Sequence, residues 1–199
     1  MAERLAVSPL AHLKDALSAA TVTGPRGVSL TELPFLTMVN VRVHPASEAA
    51  ARIEKTLGAA LPQECGRTTA SGAHTVTWSG PDEWLVVSSA EPADLTAELK
   101  ASLGADAGSV VDLSANRTTL ELTGPSARAV LEKGCPVDLH PRAFGSGRAV
   151  STTVGPVPVL LWQTDDAPTY RLFPRASFAD YLGRWLIDAM GEFGGPEVA

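Results

Sequence analysis

Met38-Val39-Asn40-Val41-Arg42-Val43 alternates apolar with polar positions and is rich in β-branched side chains, the period-two pattern of a half-buried strand. The period then changes. After His44-Pro45, Ser47 offers an N-cap, and Ala50, Ile53 and Leu57 fall at helical spacing up to Gly58, so a helix with one apolar stripe is predicted there. Residues 75–79 and 84–87 flank Gly80-Pro81-Asp82-Glu83 and read as two antiparallel strands joined by a short turn. A second helix is predicted over 92–103, closing at Gly104.

Strand character resumes at 110–114 and again at 118–123, where Leu120 and Leu122 alternate with Thr119, Glu121 and Thr123. Gly124-Pro125-Ser126-Ala127 breaks that run and starts a helix, with Pro125 placed in its first turn because a proline there forfeits no intrahelical hydrogen bond. Strands near 149–154 and 157–162 turn through Gly155-Pro156, and 169–173 adds a third. In the last helix, 177–192, Phe178, Tyr181, Leu182, Trp185, Leu186 and Ala189 recur at offsets of three and four and predict a broad buried face. Residues 10–19 form a short helical piece before the turn-rich Thr23-Gly24-Pro25-Arg26-Gly27, as in an arm that packs on a partner.

This order predicts an α+β protein: two related lobes of antiparallel sheet covered by helices. The expected divisions are an arm over 1–27, a first lobe over 28–106 and a second over 107–199. With 45% hydrophobic residues, a chain of 199 can bury a substantial core. Its net charge of −6, from 22 acidic and 16 basic residues without a basic cluster, argues against nucleic acid and anionic membranes as partners. No run is apolar enough for a signal peptide or membrane span, and Cys65 and Cys135 stand far apart, so a cytoplasmic protein with reduced thiols is expected.

Candidate chemistry is sparse. GxSxG, GxxxxGK[ST] and GxGxxG are all missing, which removes the familiar nucleophile elbow and phosphate cradles. His12, His44, His74 and His140 lack metal-ligand spacing. Asp82-Glu83 and Asp165-Asp166 are adjacent carboxylates in expected hairpin turns, where acidic residues are favoured by turn geometry. Trp78, Trp84, Trp162 and Trp185 suit core or interface packing better than an aromatic cage. Arg117, Arg128 and Arg148 could meet a substrate carboxylate, but ion pairs at the surface or an interface are the expected role. No catalytic, cofactor-binding or metal-binding residue is therefore assigned.

Asp112-Leu113-Ser114-Ala115-Asn116-Arg117-Thr118, then Leu120-Glu121-Leu122-Thr123-Gly124-Pro125-Ser126-Ala127-Arg128, resembles the gamma subunit of heterotetrameric sarcosine oxidase. Lys133-Gly134-Cys135-Pro136-Val137-Asp138-Leu139-His140-Pro141, Phe144, the stretch from Arg175 through Leu182, Trp185-Leu186 and Gly80-Pro81-Asp82-Glu83-Trp84-Leu85 extend the likeness over about residues 29–190. The resemblance implies a non-catalytic structural subunit of a complex that oxidatively demethylates sarcosine to glycine, forms hydrogen peroxide and transfers a one-carbon unit to tetrahydrofolate. It further implies an alpha subunit in direct contact, beta and delta in the same complex, and FAD, FMN, NAD and zinc carried by those other subunits.

More distantly, Asp112-Leu113-Ser114 and Gly124-Pro125-Ser126-Ala127 look like the folate-binding fold of glycine-cleavage aminomethyltransferases. That family has an acidic pair on the strand after its glycine-rich hairpin, where this chain reads Gly155-Pro156-Val157-Pro158-Val159-Leu160-Leu161. Methylene transfer by this chain alone is not expected. An independent folate-binding protein of the aminomethyltransferase type is the alternative.

Overall fold

A computed structural model of the chain describes residues 6–195. Its strands are β1 (Ser29–Glu32), β2 (Thr37–Val43), β3 (Thr68–Ser71), β4 (His74–Gly80), β5 (Glu83–Ser88), β6 (Gly108–Asp112), β7 (Leu120–Thr123), β8 (Arg148–Val154), β9 (Val157–Asp165) and β10 (Thr169–Pro174). The helices are α1 (Lys14–Ala19), α2 (Glu48–Leu57), α3 (Pro92–Leu103), α4 (Ala127–Glu132) and α5 (Ala179–Met190). Two five-stranded sheets result, ordered β3-β4-β5-β2-β6 and β1-β7-β10-β9-β8, and every pairing within them is antiparallel.

Period-two alternation decides the layers. On β2, Val39, Val41 and Val43 point to one apolar cluster with Ile53, Leu57, Leu95 and Leu99 of α2 and α3, while Met38 points the other way. On β5, Trp84 and Val86 join the helix side; Leu85 and Val87 join Met38. The second sheet repeats the division: Val157, Val159 and Leu161 of β9 face the helices, and Leu160 and Trp162 face the first sheet. Met38, Leu85, Val87, Ala149, Leu160, Trp162 and Phe173 make the middle layer, so the order is helices, sheet, sheet, helices.

Local signals set α2 where expected. The Ser47 hydroxyl accepts the Ala50 amide at 3.1 Å, and Gly58 ends the helix at φ 64°, a left-handed conformation that costs glycine little. The α4 start differs from expectation: the helix begins at Ala127, and Pro125 stands in the turn before it. Gly124 there has φ 118°, and a β-carbon on it would lie 2.6 Å from the Gly27 carbonyl oxygen.

The chain crosses between the sheets twice. β1 belongs to the sheet of β7–β10, while β6 belongs to the sheet of β2–β5. The arm packs on its own chain: Leu10, Leu13 and Leu17 enter the same cluster as Leu122, Leu182 and Leu186. Polar contacts fasten it, with Ser8 Oγ donating to Glu32 Oε2 at 2.6 Å and Thr118 Oγ1 donating to Glu32 Oε1 at 2.7 Å.

The buried face of α5 is also turned from its expected position. Leu182, Leu186 and Ala189 are buried, but Gly183 and Met190 complete the face; Phe178 and Tyr181 are exposed. The small Gly183 admits the arm, with Leu13 and Leu10 methyls 3.4 and 3.5 Å from where a β-carbon would stand.

Candidate functional site

The second crossing between sheets, from Asp112 to Thr118, carries the segment singled out in the sequence. Asp112 Oδ1 accepts from the Ser114 amide at 2.8 Å and its hydroxyl at 2.6 Å, while Ser114 Oγ accepts the Met38 amide at 3.0 Å. The Asn116 carbonyl accepts the Ala176 amide at 2.8 Å. Arg117 Nη1 donates to the Phe173 carbonyl at 2.6 Å. These bonds tie the crossing to β2, to β10 and to the segment preceding α5. The first crossing lies alongside, since the Leu33 amide donates to the Thr119 carbonyl at 2.9 Å.

A cleft of about 380 Å³ opens beside this crossing, lined by Arg117, Ser151, Thr152, Pro158, Leu160, Arg175 and Phe178 among others. A smaller recess of about 210 Å³ shares Arg117, Ser151 and Leu160 and continues between the sheets to Asn40 and Glu83. Arg117 and Arg175 are bridged through their backbones. Burial, and after it the Arg175 charge, hold the Arg117 guanidinium below its ordinary pKa.

The other sequence candidates do not converge there. His12 bonds Asp180 at 2.6 Å, His74 bonds Ser88 at 2.9 Å, and His44 and His140 make short-range turn contacts. Asp82 pairs with Arg42 at 3.2 Å, whereas Glu83 accepts from Asn40 at 2.7 Å. Asp165 caps the turn into β10 by accepting the Thr169 amide at 3.2 Å; Asp166 is exposed. Among the described residues no three His, Cys, Asp or Glu side chains gather as metal ligands would. Both cysteines are free, Cys65 exposed and Cys135 buried.

The tryptophans are dispersed. Trp84 is fully buried with its indole donating to the Pro62 carbonyl at 2.8 Å, and Trp162 lies under the Arg171 guanidinium, 5.4 Å from the ring centre. Trp185 packs over Gly134 and Gly155, and Trp78 is half-buried beside Trp84. Burial raises the pKa of the Tyr170 phenol, and the neighbouring Arg128 guanidinium partly draws it back. Arg117, Arg128 and Arg148 form no ion pair among the described residues.

Sequence reasoning missed the exposed aromatic groups. Phe35, in the first crossing, is 60% exposed and has φ 62°, strained for a residue with a β-carbon. Phe178 and Tyr181 are 42% and 51% exposed. Their helical spacing was the misleading signal for the latter two; Phe35 had no signal, because left-handed backbone is not legible in Leu33-Pro34-Phe35-Leu36.

Comparison with known proteins places this arrangement in a family. The chain is 46% identical to a sarcosine oxidase subunit gamma from Corynebacterium sp. (strain U-96), over 96% of this chain and 93% of that protein. It is 48% and 47% identical to the subunits of that name from Corynebacterium sp. (strain P-1) and an Arthrobacter species, with the same coverage. The fold superimposes with a TM-score of 0.94 and 45% identity on a chain of the heterotetrameric sarcosine oxidase from Corynebacterium sp. U-96 solved with pyrrole 2-carboxylate, covering 98% of this chain and 100% of that one. Aminomethyltransferase T of the glycine cleavage system from Bartonella henselae shares the fold at a TM-score of 0.65 and 15% identity, covering 92% of this chain and 57% of that one. Residues 42–192 match the sarcosine oxidase, gamma subunit family, and the chain belongs to that family.

Proposed function

We propose that this chain is the gamma subunit of a heterotetrameric sarcosine oxidase and contributes packing surface while neighbouring subunits supply the reactive groups. The observation that carries the reading is its likeness along nearly its whole length to one complete chain of such a heterotetramer. On this reading the complex oxidatively demethylates sarcosine to glycine, forms hydrogen peroxide and passes the one-carbon unit to tetrahydrofolate. An alpha subunit packs directly on this chain, beta and delta complete the assembly, and FAD, FMN, NAD and zinc reside on those other subunits.

The dispersed ionisable side chains support a non-catalytic role, and the exposed Phe35, Phe178 and Tyr181 supply apolar surface of the kind an interface buries. Two free thiols fit a reducing compartment, and we place the complex in the cytoplasm. Among the described residues no helix is long and apolar enough to cross a membrane. Purification of the native assembly tests the proposal. A yellow multisubunit complex containing this chain and oxidising sarcosine is expected, with the isolated chain colourless and inactive. A monomer in native extract, or tight calorimetric binding of tetrahydrofolate to the chain alone, would overturn it.

A further inference from the structure

We propose that the cleft between Arg117 and Arg175 is an anion site that accepts a carboxylate attached to a flat apolar body. Arg117 is half-buried and Arg175 stands beside it, yet no carboxylate pairs with either among the described residues. Glu83, the acid of the adjoining recess, is engaged by Asn40 at 2.7 Å and by Arg42 at 3.8 Å. Two neighbouring guanidiniums repel each other, and partial burial weakens the water that would screen them. An anion between them removes both penalties.

Arg117 Nη1 is fixed on the Phe173 carbonyl, and its buried Nε has no partner, so the side chain is held rather than free to swing into water. Arg175 lies at the start of the turn into α5, where the Phe178 amide donates to its carbonyl at 2.9 Å. The contrast with Arg171 is informative. That residue has the same type and a similar depth, but Glu121 meets its Nε at 2.9 Å and Trp162 lies beneath it, so its charge is already compensated within the chain.

The cleft volume of about 380 Å³ falls within the range of small-molecule sites, roughly 300–1,000 Å³. Ser151 and Thr152 provide hydroxyls beside the arginines, and Pro158, Leu160 and the exposed Phe178 ring provide apolar wall. A carboxylate joined to a planar apolar group satisfies both parts at once, through charge-assisted hydrogen bonds at one end and ring contact at the other. The source is either a free small carboxylate of this kind or a neighbouring subunit that presents an acidic side chain beside a planar apolar one.

Titration of the full chain with benzoate, followed by calorimetry, tests the site against benzamide, which has the same ring without the charge. Benzoate is expected to bind at least about tenfold more tightly, and Arg175→Gln to lower benzoate affinity by about tenfold while leaving benzamide unchanged. Arg175 is exposed, so this variant keeps its fold; Arg117→Gln removes the bond to β10 and is a weaker test. Equal affinities for the two compounds, or benzoate binding indifferent to Arg175→Gln, overturn the proposal.

Repetition on the assembled complex separates the sources. An Arg175-dependent benzoate site that persists there identifies a free ligand. Loss of the site on assembly, together with weaker incorporation of the Arg175→Gln chain, identifies a partner carboxylate. Loss of the site with normal incorporation of the variant overturns a role for it.

Discussion

The two sheets solve the same problem with different parts of the chain. The first is covered by α2 and α3, both drawn from connections between its own strands, so its apolar cluster closes over residues 39–110. The second is covered from both ends: Leu10, Leu13 and Leu17 arrive from the arm, and Leu182, Leu186 and Met190 from α5. The first unit therefore depends on local periodicity, and the second on contacts between residues about 170 positions apart in the numbering. Loop-closure entropy makes the latter kind of contact slower to form, though its added cost in stability grows only slowly with separation.

The sharpest way to break the comparison is to hollow out the locally closed unit. Trp84 is fully buried between β4, β2 and the helices, and its indole has a carbonyl partner at Pro62. Trp84→Ala is expected to lower stability by about 3–5 kcal/mol, measured by urea denaturation. Because Met38, Leu85 and Val87 join the two sheets in one apolar layer, both units should lose structure at a common midpoint. Two separated transitions would show that the middle layer does not couple them.

A smaller effect is expected where the arm meets α5. A β-carbon at Gly183 would stand at ordinary contact distance from Leu10 and Leu13, so Gly183→Ala fits and should stabilise by about 0.5–1 kcal/mol through helix propensity. Gly183→Leu must displace the arm and should destabilise by about 1–3 kcal/mol. Thermal melts of the pair provide the check. If both variants behave alike, the arm does not press on this face.

The same contrast explains what the sequence revealed. The α2 cap, the α3 bounds and the β8–β9 turn are local events written in Ser47, Gly58, Gly104 and Gly155-Pro156, and they stand where the periodicity placed them. Both missed strands lack such writing: β3 is the polar edge Thr-Thr-Ala-Ser, and β1 has four residues whose partner, β7, lies some ninety positions onward. The buried face of α5 was misjudged because hydrophobicity favoured Phe178 and Tyr181, whereas packing selected Gly183, a residue with no side chain to score. The cleft was hidden for a related reason. Arg117 was visible as a candidate, but Arg175 and Ser151 reach it only through strand register, and the lack of a carboxylate partner among the described residues is a property of the fold alone.

The smallest expected effect concerns the polar fastening of the arm to α5. Asp180 accepts Arg184 Nε at 3.1 Å and meets His12 Nε2 at 2.6 Å, and these hydrogen bonds, Arg184 first, hold its pKa below the ordinary aspartate value. A carboxyl depressed in the folded state stabilises above its unfolded pKa, near 3.9, and that contribution disappears as pH falls through the lower folded value. Asp180→Asn should therefore be slightly less stable than the parent at neutral pH and low salt, with the gap closing below about pH 3.9 and also closing as salt is added, because the group is exposed. Urea midpoints of the two proteins across that pH range give the measurement. A gap that persists at low pH would mean that Asp180 holds the arm through geometry rather than charge, and the second unit would then be closed by shape at both ends.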